Sequence, residues 1–428
     1  MPDLHFLNKD KLQKIFLIVM VFALVLVVIA VRQRQNLSTK ADVVDFLEAE
    51  SYISSDGNIT LVEDSTASGN GYILLGQSSA NTPTPKVPTN TPTRTPTLTP
   101  TKIPTKTPTP TPKPSRDVSK LLGVAVSPSS LTNYSAHIKK YGNTWLAPAN
   151  AMKMQTIGGC NGNYNYSQAD QILNYANQNG MKLHGHTLVW HSQTSSCAGS
   201  FTKAQLKTYI TNVTNHYCGK TPTMDVVNEA LSDGSGYRTD SVWYRLYGGP
   251  GYIEDSFRWA REACPSMKLY YNDYSIEYGA KAERMLTLVQ SLDSKGLIDG
   301  VGFQAHWTRS FDASAWGKVM DRVTAMGLDF AISEMDVRFT KNYWDFTTAD
   351  YTLQAQTYKN AAQLCKDRTR CDHFIVWGVH DGDSWVNNNP AFGNVSDAAL
   401  IFDRQLKPKP AYCTGIRPVF GLPKGDCS

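Results

Sequence analysis

The sequence predicts an α/β chain whose main domain, residues 118–428, is a (β/α)8 TIM barrel. Three observations point there. Short β-rich apolar runs recur eight times after residue 118, amphipathic stretches separate most of them, and the runs end in polar or aromatic side chains. A doubly wound open sheet is the competing architecture, but no Gly-rich phosphate loop follows the first run.

The 428 residues carry a net charge of +5, 41% hydrophobic residues and 9 Trp, ample for a large core. In order, the first feature is Ile15 to Val31, an unbroken apolar run with Lys9, Lys11 and Lys14 before it and Arg32 and Arg34 after it. It exceeds the roughly 7–15 residues of a signal-peptide core and reaches the about 17 needed to span a bilayer. Residues 1–34 therefore read as a cytoplasmic stub and a single N-terminal membrane helix, with the bulk of the chain outside the cell. Val28-Ile29-Ala30 offers a cleavage site if the segment is processed to a secreted form.

Residues 35–80 read as a polar spacer. Within them, "FLEAESYISSDGNITLVEDSTASGNGYILLG" is similar to the opening strands of jelly-roll carbohydrate-binding modules, and a remnant of such a module is the alternative. Residues 81–117 form a disordered Thr/Pro-rich linker with half of the chain's 22 prolines. Proline at that density blocks helix and sheet and favours extended polyproline II. Lys86, Arg94, Lys102, Lys106 and Lys113 account for the whole net charge, so the basicity is a solvated linker's and nucleic acid is not an expected partner.

The barrel runs follow: 121–126, 143–148, 182–188, 222–229, 268–273, 300–306, 329–337 and 373–379. "SQADQILNYANQNG" and "KAERMLTLVQSLDSKG" are examples of the helices between them, each closed by Gly. Side chains at the C-terminal strand ends of such a barrel face one site. Here they are Asn150 and Lys153 (second), His186, Trp190, His191 and Gln193 (third), and Asn228 and Glu229 (fourth). The fifth run supplies Asn272, Asp273 and Tyr274, the sixth Gln304 and His306, the seventh Glu334 and Asp336, and the eighth Trp377, with Trp385 beyond it.

A carboxylate leaving a buried strand is costly unless paired or used. Glu229 and Glu334 both do so, from strands on opposite sides of the mouth. Two carboxyls facing each other across a groove of Trp, Asn, Gln and His suit glycoside hydrolysis: Trp faces take the apolar side of sugar rings, amides and imidazoles their hydroxyls. A metal site is the competing use of such residues. The side chains are spread singly over separate strands, without a local ligand pair outside "HTLVWH", so no metal and no cofactor is expected.

"GHTLVWHSQ", "DVVNEA", "YYNDYSIE", "GFQAHW", "ISEMDV", "WGVHDGDSW" and "LIFDRQLKPKPAY" resemble, in order, the signatures of glycoside hydrolase family 10, the endo-1,4-β-xylanases, across residues 118 to 412. The resemblance implies that Glu229 is the acid/base and Glu334 the nucleophile. It implies that Asn228 holds the 2-hydroxyl of the ring being cleaved and that Asp336 orients His306. Lys153, His186, Trp190, Gln193, Gln304, His306, Trp377 and Trp385 would line the glycone side and the cleavage point, with Asn150 beside them, and Tyr274 the leaving-group side. The implied partner is xylan or a related β-1,4-linked polysaccharide, and a monomer is expected. Two departures stand out: "PANAMKM" has Ala149 and Met154 where the family usually has Glu and Trp, and Met224 replaces a Trp before "DVVNEA". The first bears on glycone grip, the second on packing. A β-1,4-glucanase or mixed-specificity enzyme is the alternative activity, and a non-catalytic glycan-binding protein on the same barrel the alternative class. A binder is expected to have lost a carboxylate, and both are present.

All 8 cysteines follow residue 159, with no CxxC pair, and in an exported chain they read as disulfides. Cys365 and Cys371 frame a short loop before the eighth strand. Cys218 and Cys264 end helices that precede adjacent strands. Cys160 and Cys197 lie on loops above the second and third strands, and Cys413 with Cys427 would staple the tail.

Overall fold

The computed structural model of the chain describes residues 60–63, 72–75, 116–308 and 312–427. Two compact units divide at residue 108. In the first, Thr60–Glu63 pairs antiparallel with Tyr72–Leu75. The stretch expected as a polar spacer thus holds a strand pair, an element that alone is marginal in water. The Ile15–Val31 segment and the Thr/Pro-rich linker up to residue 115 lie outside the described residues. Among the described residues no helix is long and apolar enough to cross a membrane.

In the second unit, Arg116 is already tied to the barrel two residues before residue 118. The Arg116 guanidinium donates to the backbone carbonyls of Cys365, Arg368 and Cys371. From there eight parallel strands follow: β1 (Leu122–Ala125), β2 (Trp145–Ala147), β3 (Lys182–Gly185), β4 (Thr223–Asn228), β5 (Lys268–Asp273), β6 (Gly300–Phe303), β7 (Asp329–Arg338) and β8 (Cys371–Val376). Each pairs with the next, β8 pairs with β1, and the β6–β7 pairing completes a closed barrel. The strands are buried on both faces, as continuous apolar runs require when side chains fill the interior and helices cover the outside.

The helices begin where the sequence supplies caps. In α1 (Pro128–Lys140) Ser127 accepts from the Ser130 amide and Pro128 occupies the first turn. Thr202 with Gln205 and Thr347 with Asp350 form capping boxes for α3 (Lys203–Tyr217) and α7 (Thr348–Asp367). The remaining outer helices are α2 (Ser167–Gln178), α4 (Gly251–Ala263), α5 (Gly279–Asp293) and α6 (Ala313–Ala325). Met224 is buried in β4 opposite Gly185 of β3, so its replacement of the family's Trp is absorbed by core packing.

Four disulfides join Cys160–Cys197, Cys218–Cys264, Cys365–Cys371 and Cys413–Cys427, with Cα atoms 5.2 to 5.9 Å apart. These are the four pairs expected from loop and helix positions. Such density of disulfides fits an extracellular protein.

Candidate active site

The barrel's C-terminal mouth opens into a cavity of about 910 Å³. It is lined by Asn150, Lys153, His186, Trp190, Gln193, Asn228, Glu229, Tyr274, Gln304, His306, Glu334, Trp377 and Trp385. Four of the strand-end side chains do not line it: Asn272, Asp273 and Asp336 are fully buried beneath it, and His191 stands 3.7 Å from Glu229 Oε2.

Backbone geometry at this rim is unusual. Ala149, Gln193, Glu229, Ser275 and Ala305, all just beyond strand ends, have φ of 35°, 44°, 54°, 54° and 63°. Non-glycine residues in the left-handed region cost on the order of 1–3 kcal/mol each and collect where side chains must be re-aimed.

Glu229 leaves β4 in that conformation. Its Oε2 accepts from Trp190 Nε1 at 2.8 Å and its Oε1 from Gln304 Nε2 at 2.9 Å. Gln304 Nε2 also reaches Asn228 Oδ1 at 3.1 Å, and Asn272 Nδ2 donates to Asn228 Oδ1 at 3.0 Å and to Glu334 Oε1 at 2.7 Å. Amide groups thus link the two carboxylates. Ser333 Oγ donates to Asn272 Oδ1 at 2.6 Å and so fixes which face of that amide looks at Glu334. The neighbouring β6 position must be glycine, because a Cβ at Gly302 would occupy the Asn272 amide.

Glu334 is 5% exposed. His306 Nε2 lies 3.2 Å from its Oε2, while His306 Nδ1 lies 2.8 Å from Asp336 Oδ2. Trp385 Nε1 donates to the same Asp336 oxygen at 2.7 Å. Burial opposes charge on His306, but Asp336 and then Glu334 overcome it and raise the imidazolium to about 10. Burial likewise pushes Glu334 up, yet His186, His306 and Lys153 hold it below the ordinary glutamate value. The site therefore presents Glu334 as an anion among cations. A bend or bulge in β7 is one way for Glu334 and Asp336 to face inward together. The β7 register against β8 does shift between Ile332 and Met335. Residues two apart point the same way in any strand, however, so alternation alone accounts for the pair.

On the β2–β3 side, Lys153 Nζ donates to Asn150 Oδ1 and Gln193 Oε1, both at 2.8 Å, and sits 4.7 Å from the Trp190 ring centre. Burial lowers Lys153, with Glu334 and Glu229 resisting. His186 and Trp377 meet edge to face at 5.3 Å, and Trp385 meets His306 at 4.8 Å. Met154, the other departure after β2, is buried at the start of a short helix. On the β4–β5 side, Tyr274 donates to Asp233 Oδ2 at 2.6 Å and accepts from Arg238 at 2.9 Å.

Two functional residues are not among those singled out from the sequence. Asp225, inside β4, accepts from His186 Nδ1 at 2.9 Å and lies 3.0 Å from His184 Nε2. Burial would raise it, but the two imidazoles bring it to about 2. It fixes the ring orientation of His186, which stands 3.8 Å from Glu334 Oε1. The signal was present as a lone charge inside "TMDVVN". Arg338 is the second, lining the cavity while donating to the His306 carbonyl at 2.9 Å.

Residues 114–417 match Glycosyl hydrolase family 10. A β-1,4-xylanase of Dictyoglomus thermophilum is 36% identical over 308 residues, 68% of this chain and 86% of its own. Among solved structures, native xylanase 10B from Thermotoga maritima superposes with a TM-score of 0.66 at 34% identity, covering 72% of this chain and 96% of that one. Xylanase 10B from Thermotoga petrophila RKU-1, solved in complex with xylobiose, gives 0.65 at 34% identity over 71% of this chain and 94% of that one.

Proposed function

The chain belongs to glycoside hydrolase family 10, and from that premise we propose that it is a retaining endo-1,4-β-xylanase with Glu334 as nucleophile and Glu229 as acid/base. The observation that carries this reading is the amide bridge between Glu229 and Glu334, flanked by Trp190, Trp377 and Trp385 in one cavity. In the first step Glu334 attacks the anomeric carbon while Glu229 gives its proton to the departing glycosidic oxygen. The bond to the leaving sugar breaks and a glycosyl ester forms on Glu334. In the second, Glu229 takes a proton from water, the hydroxide adds at the same carbon, and Glu334 is released as carboxylate. Net configuration is retained.

The surrounding groups divide the work. Asn228 and Gln304 hold the Glu229 carboxyl and offer amides to the 2-hydroxyl of the ring being cleaved. His306, backed by Asp336, keeps Glu334 ionised between turnovers. Lys153, Asn150 and Gln193 grip the glycone. Tyr274 marks the leaving-group side. A relative solved with xylobiose supports pentose chains as the substrate class. Four disulfides support action outside the cell, and Ile15–Val31 would anchor the enzyme there.

Products from arabinoxylan, glucuronoxylan, barley β-glucan and carboxymethylcellulose test the activity. Xylo-oligosaccharides released from both xylans at rates far above glucan cleavage are expected. Preferential cleavage of β-glucan or carboxymethylcellulose would replace the reading with a β-1,4-glucanase, and no cleavage of any would leave a binding protein.

A further inference from the structure

The cavity continues past the carboxylates toward the β8–β1 side of the mouth, opposite Tyr274. Tyr134 and Asp383 line it there beside Ser127 and Asn133. None of these serves the cleavage steps above. Tyr134 occupies a non-helical position within α1, with φ −127° and ψ 16°. Its hydroxyl lies 3.0 Å from Nε2 of His380, and the two rings meet edge to face at 4.9 Å.

His380 is buried, and its Nδ1 accepts the Gly382 amide at 3.1 Å. The ring proton therefore sits on Nε2, facing both the Tyr134 hydroxyl and Asp383 Oδ2, the latter at 3.2 Å. The sequence builds this turn with a glycine, since a Cβ at Gly382 would stand 2.6 Å from His380 Cε1. One buried imidazole thus aims a phenol and a carboxylate into the same part of the cavity. The Asp383 side chain remains 43% exposed, open to a ligand.

A carboxylate held through one oxygen accepts hydrogen bonds from sugar hydroxyls through the other, and a fixed phenol adds a second polar contact and a ring edge. The same charge repels acidic substituents. We propose that Tyr134, His380 and Asp383 form a separate station for an undecorated pyranose ring of a β-1,4-linked chain, on the glycone side of the ring being cleaved. The station rests on the glycan-cleft reading above and extends it. At the mouth of β2, Ala149 contributes no hydrogen-bonding side chain, so Asp383 supplies the glycone side with a carboxylate from β8 instead.

Calorimetric titration of full-length Glu334→Ala protein with xylotetraose tests the station. Adding Asp383→Ala should weaken binding about ten- to hundredfold, the loss of a hydrogen bond to a charged group. Adding Tyr134→Phe, which keeps the ring, should weaken it about three- to tenfold. In the otherwise unmodified enzyme, Asp383→Ala should raise KM for xylotetraose by a comparable factor and leave kcat within about twofold. Binding and KM within about twofold of the parent in both variants would overturn the station, as would a loss confined to kcat. A parent that binds cellotetraose but not xylotetraose would refute the xylanase reading instead. The station would then be decided by the same variants with cellotetraose, on the same thresholds.

Discussion

Asp336→Asn isolates the electrostatic support of Glu334. The substitution keeps an oxygen for Trp385 Nε1 and His306 Nδ1, now 2.7 and 2.8 Å away, and removes only the charge. His306 rises from 6.5 to about 10 in the folded protein, a change on the order of 4–5 kcal/mol between its charge states. Asp336 is the larger of the two carboxylate contributions, and together they also overcome burial, so at least half of that change goes with its charge. The sign is that of a raised value: stabilisation is complete below about pH 6.5 and disappears as pH climbs through about 10. The unfolding free energies of parent and variant should differ most below pH 6.5 and converge toward pH 10. In the variant His306 discharges at lower pH than in the parent, and Glu334 loses its nearest cation there. Turnover on xylan should fall about ten- to hundredfold at about pH 9, where the parent His306 is still charged, with the alkaline limb of the pH–kcat profile moved to lower pH. Urea unfolding across pH and initial-rate profiles measure both. An unmoved alkaline limb together with a pH-independent stability gap would refute the link.

Glu334→Ala should be inactive on every glycoside and be rescued by azide to a product of inverted configuration. Glu229→Ala should keep activity on aryl glycosides with good leaving groups, and azide should then yield a retained product; the opposite pattern would exchange the two roles. Ala149→Glu should lower KM on xylotriose, by up to the roughly 1.5–3 kcal/mol of one charge-assisted hydrogen bond, and the gain should be larger in the Asp383→Ala background. Steady-state kinetics would show no gain if the mouth of β2 does not contact the glycone. Replacing Cys218 and Cys264 by Ser opens a loop of 46 residues and should cost about 4 kcal/mol, against about 2 kcal/mol for Cys365 and Cys371, which close only 6. Chemical denaturation should rank the pairs in that order.

The barrel was legible because its strands are buried on both faces. Runs such as "GVGF" and "DFAISEMDV" are apolar until they reach the mouth, where the character changes within one or two residues. That abrupt change is also why Glu229, Glu334 and their amide and imidazole neighbours could be found from sequence. Asp225 was missed because it interrupts an apolar run mid-strand, and only the fold shows that two imidazoles from β3 and its exit converge on it. Asn272 was visible as a strand-end amide, but its position as the bridge to Glu334 depends on the β4–β5 register and on the space left at Gly302. Tyr134 and His380 are 246 residues apart and meet through β8–β1 closure, which no local pattern encodes. The strand pair at 60–63 and 72–75 lies among polar residues, which favoured a spacer over a paired element.

The central claim is double displacement by Glu334 and Glu229, and the anomeric form of the first product tests it most directly. Proton NMR during hydrolysis of xylopentaose, recorded before mutarotation, should show the β-anomer of the new reducing end accumulating first and the α-anomer appearing only at the mutarotation rate. An α-anomer formed first would require a water between the carboxyls and a single displacement, and would contradict the assignment of both residues.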